Sequence, residues 1–358
     1  MKAAVLYGKE DVRVENVTPA ALKPGEVRIR IEAALTCGTD LKVFKRGYHA
    51  KMIVPPAVFG HELAGTISEV GATLTSSDGE RVAARPGEGK TWRVGDRAVA
   101  ANSAPCGACF HCKAGQENLC DDLLFLNGAY AESIVVPARI VQKNLLRLKP
   151  KTEFRDAALV EPLACVVQGI EDTRLTRGQH VLIIGAGPIG LMFVALARHL
   201  GGDVTVAGRR AARLRAARKL GANHIVDVGD GQELVRKIRK ATVDQFDAVI
   251  EAVGKPDVWE AAVRLVRKGG TVNFFGGCPS GTSITLDTTL IHYSNLTLLA
   301  SFHHTPRTIR RALEFVEAGV IHAGDFVDGE CSLAGLPDLF KAMSAGNHAV
   351  KTLIRVRT

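Results

Sequence analysis

The sequence lacks any run long and apolar enough to cross a membrane. A spanning helix needs about 20 apolar residues, and the most apolar stretch, HVLIIGAGPIGLMFVALARHL from position 180, is broken by glycines and by Pro188. The start, MKAAVLYGKEDVRVENV, has no basic flank, apolar run or small-residue cleavage site of the kind a secretory signal carries, so a cytoplasmic protein is expected and the segment reads as a first strand. Low-complexity tracts and long polar tails are missing too, which excludes a fibrous or disordered chain. Aromatic residues are scarce at 5%, yet 46% hydrophobic and 23% charged residues give the balance of a globular protein. Cysteine is not abundant either. Of the eight present, four crowd into CGACFHCKAGQENLC, and without an export signal they favour reduced thiols and metal over disulfides.

At 358 residues the chain exceeds the size at which single cores stop growing, so two domains are expected. A surplus of 46 Lys and Arg over 37 Asp and Glu gives a net charge of +9, which raises a nucleic-acid partner as one reading. Many of these cations fall in RRAARLRAARKL at 209–220, where helical spacing turns most of them to water, so a solvated helix face is preferred.

From Gly178 to Gly277 short β-branched runs alternate with helical patterns. The strands are HVLIIG, DVTVAG, HIVDV, FDAVIEAVG and GTVNFFGG. The helices are PIGLMFVALARHLG, a segment ending at Leu220, one near Gln232 to Ala241, and one near Val258 to Val266. Repeats of this kind predict a parallel sheet covered on both faces, an α/β unit of doubly wound type. The first ~155 residues differ: EVRIRIEAAL, ELAGTISEVG and YAESIVVPA are strands divided by Gly and Pro, with few convincing helices. After Leu298 the alternation stops, and HHTPRTIRRALEFVEAG with a final KTLIRVRT strand is too short to fold alone. The expected division is therefore a mainly β domain over 1–156, completed by 299–358, around a nucleotide-binding domain over 157–298. The polar, Gly-rich loop TLTSSDGERVAARPGEGKTW at 73–92 reads as a surface excursion.

In VLIIGAGPIG, Gly185, Gly187 and Gly190 fit G-x-G-x-x-G after a predicted strand and at the opening of a helix that starts with Pro188 and Ile189. That context turns a weak motif into a dinucleotide site, with the helix N-terminus facing the pyrophosphate. NAD sites place an acid at the end of the next strand, whereas this chain has Gly208 followed by Arg209 and Arg210, with Arg213 four residues past Arg209. Loss of a carboxylate and gain of guanidinium groups favour a 2′-phosphate, hence NADP(H), with NAD(H) still possible.

The four clustered cysteines, Cys106, Cys109, Cys112 and Cys120, suffice to fill a tetrahedral zinc and leave no vacancy, a closed structural site. A second set has open character: Cys37, Thr39 and Asp40 in TCGTD, His61 beside Glu62 in GHELAG, and Glu161 in VEPLAC. Cys, His and carboxylate leave a fourth zinc position for water or substrate. Singly, Cys37 also reads as a buried apolar residue, His61 as a core histidine and Glu161 as a surface acid.

Together, CGTD, GHELAGTISEVG, CGACFHCKAGQENLC, EPL and GAGPIG, in this order, resemble the zinc-containing medium-chain dehydrogenase/reductases of the alcohol dehydrogenase family, and most closely their polyol (sorbitol) and threonine dehydrogenase branch. The resemblance covers essentially the whole chain. It implies a GroES-like mainly β catalytic domain with a Rossmann domain, and two zinc ions per chain. Cys37, His61, Glu62 and Glu161 match the catalytic zinc set, with either carboxylate eligible, and the four cysteines match the structural zinc. It further implies that Thr39 relays the substrate proton, that Asp40 holds His61 in its zinc-binding tautomer, and that Ile189 lies behind the nicotinamide.

Departures are visible. Lys42 stands where a relay histidine is often found, Phe302, His303 and His304 replace the Phe-Arg-Tyr of sorbitol dehydrogenases, and Leu74 falls where a smaller or β-branched residue is usual. Lys42, His303, His304 and the loop near Phe44 to Tyr48 suggest a polar or anionic substrate, and a partly solvated pocket mouth explains them equally well. The expected function is reversible oxidation of a small-molecule alcohol by NADP(H), by a homo-oligomer, with neither nucleic acid nor membrane as partner.

Overall fold

The computed structural model describes residues 1–49, 51–72, 91–229, 233–242, 245–346 and 349–357. The loop at 73–92 up to residue 90, and Leu74 within it, therefore lie outside the described residues. Two compact units are present, Met1–Pro162 with Thr305–Thr358, and Leu163–His304. Each junction falls six residues later than the sequence pattern suggests. At the second, the cause is that the strand Thr297–Leu299 pairs in parallel with Val266–Phe274, so the sheet holds the chain past position 298.

In the first unit a largely antiparallel sheet runs in the order Leu145–Arg147, Arg97–Ala100, Glu62–Val70, Val27–Leu35, Lys351–Arg355, Val327–Ser332, with Ser133–Val136 also on Val27–Leu35. The last strand enters this sheet by pairing Leu353 with Leu35 and Ile354 with Ala34. Burial along Val27–Leu35 alternates as far as Glu32, after which three successive residues, Ala33 to Leu35, are buried. That change marks where the strand passes from one covered face to two. The core beneath it centres on Phe44, Phe59, Tyr130 and Phe340; Phe340 lies 5.3 Å from both Phe44 and Phe59. Truncating such a ring costs about 3–5 kcal/mol.

Short helices in this unit were not evident in the sequence. Gly38–Arg46 is the important one: Phe44, expected in a loop, sits on its buried face, and the turn only opens at Gly47, φ 92°. Its start is disguised because the N-cap is a cysteine, outside the Ser, Thr, Asp and Asn set that advertises a helix. Ala138–Asn144 follows Pro137 and has no side-chain cap at its start.

The second unit is a six-stranded parallel sheet in the order His224–Asp227, Asp203–Gly208, His180–Ile184, Phe246–Glu251, Val266–Phe274, Thr297–Leu299. The order reverses direction at His180–Ile184, the arrangement in which ligands bind beyond the carboxyl ends of the strands. Helices Pro188–His199, Ala211–Lys219 and Leu234–Ala241 occupy the expected segments. The helix expected to reach Val266 is Pro256–Val263, because Val266 already begins a strand of nine residues. No helix among the described residues is long and apolar enough to cross a membrane.

Candidate metal centres and nucleotide turn

The sulfur cluster is built by a tight run of turns. Backbone N–H groups of Ala108 and Cys109 donate to Cys106 Sγ at 3.3 and 3.4 Å, that of Gly107 to Cys112 Sγ at 3.3 Å, and that of Cys106 to Cys120 Sγ at 3.2 Å. The sulfurs of Cys106 and Cys112, and of Cys109 and Cys120, are 3.9 Å apart. Zinc–sulfur bonds of about 2.3 Å in a tetrahedron imply sulfur–sulfur edges of about 3.8 Å; these two edges match that, and all four sulfurs lie within 4.8 Å of one another. The N–H donors pull the Cys106 thiol down to about 6, while loss of hydration pushes Cys112 up to about 12. All four sulfurs would be thiolates only with a cation among them.

The second centre draws on separate elements. Cys37 caps the helix Gly38–Arg46, its Sγ accepting from Thr39 N at 3.4 Å while Asp40 Oδ2 accepts from Cys37 N at 3.1 Å. This reciprocal cap aims the thiol and the Asp40 carboxylate to one side. His61 immediately precedes the strand Glu62–Val70 that Glu62 opens, and Cys37, His61 and Glu62 each bring a ligand atom within 4.8 Å of one another. Asp40 Oδ1 lies 3.0 Å from His61 Nδ1. Burial alone would lower the imidazole, but Asp40 and Cys37 outweigh it and hold His61 well above its ordinary value.

Glu161, on the helix Val160–Thr173, is a further buried carboxylate of this unit. Burial, reinforced by the charge of Glu62 and partly relieved by His61 and Lys351, raises its carboxyl to about 7. Glu62 is raised first by burial and lowered in part by Lys351. Both of its oxygens face the Lys351 ammonium, Oε1 at 2.6 Å, and Lys351 also donates to Thr36 O at 2.9 Å. Thr39 is half-buried and Lys42 exposed on the same helix.

Lys351 and Tyr130, both fully buried, are the members of this centre that sequence reasoning missed. A lysine beginning the final apolar strand was a faint signal for the first, since lysine is almost never fully buried unless paired. Nothing local marked the second.

The nucleotide turn connects His180–Ile184 to Pro188–His199. Gly185 has φ 114°, closed to other residues without strain, and a Cβ at Gly190 would fall 1.8 Å from the carbonyl oxygen of Gly185. Around Gly187 nothing lies within 4 Å of such a Cβ, and the helix it caps has no side-chain cap of its own, leaving N–H groups for an anion. Pro188 and Ile189 are half-buried. Gly208 ends its strand buried, and a Cβ there would come 2.7 Å from the methyl of Ala186 inside the motif, so the position has no room for an acid as the backbone stands. Arg209 and Arg210 follow, both exposed, Arg210 at φ 72° as N-cap of Ala211–Lys219; Arg213, half-buried, lies in the first turn of that helix.

Two family profiles match the chain, the alcohol dehydrogenase GroES-like domain over residues 23–146 and the zinc-binding dehydrogenase domain over residues 188–318. D-altritol 5-dehydrogenase of Agrobacterium fabrum is 33% identical over 83% of this chain and 82% of its own length. L-threonine 3-dehydrogenase of Pyrococcus furiosus is 33% identical over 81% of this chain and 79% of its own. Among solved structures, a zinc-binding dehydrogenase from Sinorhizobium meliloti 1021 bound to NADP has a TM-score of 0.86 at 29% identity, covering 99% of this chain and 98% of that one.

Proposed function

The chain belongs to the zinc-containing alcohol dehydrogenase family of medium-chain dehydrogenase/reductases, in its polyol and threonine dehydrogenase branch, and on that premise we propose that it transfers hydride reversibly between a secondary or primary alcohol and NADP(H), with two zinc ions per chain. The observation that carries the reading is the convergence of Cys37, His61 and Glu62 in the first unit, with the buried carboxyl of Glu161 responding to the charges of His61 and Glu62. Thiolate, imidazole and carboxylate are a zinc set with a position to spare.

Cys37 and His61, with a carboxylate from Glu62 or Glu161, would hold the catalytic zinc; the charge of Glu62 is matched by Lys351. Zinc there supplies Lewis acidity toward an alcohol or carbonyl oxygen, and the nicotinamide supplies the hydride chemistry. Thr39 accepts the substrate proton, and Asp40 keeps the His61 Nδ1 proton in place. Cys106, Cys109, Cys112 and Cys120 clamp their lobe and do no chemistry.

NADP(H) is preferred over NAD(H) because Gly208 has no room for the ribose-binding acid as the backbone stands, while Arg209 and Arg210 follow it and Arg213 lies one turn on, guanidinium groups suited to a 2′-phosphate. With NADPH as partner, carbonyl reduction is the working direction.

The test is metal analysis with paired NADPH and NADH titrations, followed by rates on polyols, amino alcohols and simple secondary alcohols. About two zinc ions per chain, as one closed and one open site require, and turnover of one alcohol class are expected. At most one zinc with no nucleotide binding would overturn the reading. Arg209→Ala should raise the Michaelis constant for NADPH about 10-fold or more, the worth of a lost charge-assisted hydrogen bond, and leave that for NADH nearly unchanged; equal effects would remove the phosphate clamp.

A further inference from the structure

We propose that Tyr130 is a positioning residue for His61, acting through Asp40, and that its hydroxyl sets how tightly the Cys37–His61 centre holds zinc. The inference rests on the reading of that centre as a zinc site.

Tyr130 is fully buried in the first unit. Its backbone is fixed on two sides, the N–H donating to Phe59 O at 2.9 Å and the carbonyl accepting from Ala4 N at 2.8 Å. The ring meets Phe59 edge-on at 5.7 Å and lies 6.2 Å from Phe340. It also covers Gly60, the residue before His61: with φ 88° there, a Cβ would fall 2.7 Å from three ring carbons. A phenylalanine would meet every one of these contacts, so packing does not explain the hydroxyl. Burying an unused hydroxyl costs on the order of 1–3 kcal/mol.

The hydroxyl has one proton and two acceptors in reach, Asp40 Oδ2 at 2.5 Å and Leu35 O at 3.1 Å. Of the two acceptors only the carboxylate oxygen is charged, and a charged acceptor makes the stronger bond, so the proton is directed to Asp40. Burial first, and then the Asp40 charge, hold the phenol well above its ordinary range, which keeps it a donor at any working pH. Asp40 Oδ2 therefore receives two donors, the Tyr130 hydroxyl and Cys37 N. With that oxygen pinned, Oδ1 is left facing His61 Nδ1. A proton held on Nδ1 leaves the lone pair of Nε2 for a metal. Tyr130 thus links the sheet core to the one ring nitrogen whose direction the centre depends on.

The test uses full-length zinc-loaded protein and competition by a chromophoric chelator, which resolves two zinc ions per chain. His61→Ala identifies the ion bound at the Cys37 centre by its loss. In Tyr130→Phe that ion should be held about 10–100-fold more weakly, the range for partners behind a metal ligand, while the other zinc keeps its affinity. An unchanged affinity at both sites, or an equal loss at both, would overturn the proposal. In an Asp40→Asn background Tyr130→Phe should add less than about twofold, because coupled neighbours are not additive; full additivity would also overturn it. If His61→Ala still binds two zinc ions, the zinc reading itself fails, a result separate from an unresponsive Tyr130→Phe.

Discussion

The two donor clusters of the first unit are assembled in opposite ways. The sulfur cluster comes from one stretch, Cys106 to Cys120, and its geometry is set by backbone N–H groups a few residues from each sulfur. The Cys37 centre draws on a helix cap, the start of a strand, a helix at 160–173 and a strand at 351–355, and its charges are balanced across those elements. Local turns suffice for a closed clamp. An open site has to keep an incomplete donor set in place, and here it does so with buried partners that touch the donors from behind.

The largest effects should come from breaking one cluster at a time. Cys109→Ser should release the sulfur-bound zinc, an interaction that amounts to about 10–16 kcal/mol of folding free energy in small zinc domains. The lobe 106–120 should then become protease-sensitive while zinc stays at the Cys37 centre. His61→Ala should do the reverse: turnover falls by more than the about 100-fold that a partner behind a ligand can cost, with little change in melting temperature. Metal content, limited proteolysis and turnover on the same samples decide this. Loss of both zinc ions from either variant would erase the distinction.

A smaller effect isolates the buried charge balance. Lys351→Met leaves Glu62 buried without its cation and should cost about 3–5 kcal/mol in urea unfolding, most of it regained in Glu62→Gln/Lys351→Met. An unaltered midpoint in the single variant would mean that the pair carries no weight in the centre.

The smallest effect supplies a baseline, a buried carboxylate held by neutral groups. Glu251, at the end of Phe246–Glu251, accepts from Val253 N at 2.6 Å and Gly254 N at 2.9 Å, and burial pushes it from 4.5 to about 7 despite those bonds. Its folded value lies above its unfolded one, so the folded state keeps a proton that the unfolded chain has released. Stability from this source is full below about 4.5 and lost as pH rises through about 7. Glu251→Gln should remove that slope, worth at most about 3 kcal/mol, in urea unfolding followed against pH. A slope unchanged in the variant would assign it elsewhere.

The contrast between the clusters also explains what the sequence disclosed. Fifteen consecutive residues with four cysteines announce themselves by spacing alone, as do the glycines of the nucleotide turn, whose strand–turn–helix setting is local. The strands of the parallel sheet were legible for the same reason. Cys37, His61 and Glu161 were ambiguous one by one and became a set only through their resemblance to a family. Tyr130 and Lys351 stayed hidden because what they do is defined by partners 90 and 289 residues away, Asp40 and Glu62. The helix Gly38–Arg46 was missed because its capping signal is written in cysteine.

That 289-residue separation has a consequence for how the chain is born. A ribosome adding about 5–20 residues per second leaves roughly 15 to 60 seconds between the emergence of Glu62 and that of its lysine. During that interval the growing polypeptide holds an acid that cannot be buried cheaply, while Leu163–His304, continuous in sequence, is free to fold. The Glu62–Lys351 pair is thus withheld until the strand Lys351–Arg355 has been made, and products cut short before it carry the four clustered cysteines and the nucleotide turn but not the buried cation that balances Glu62.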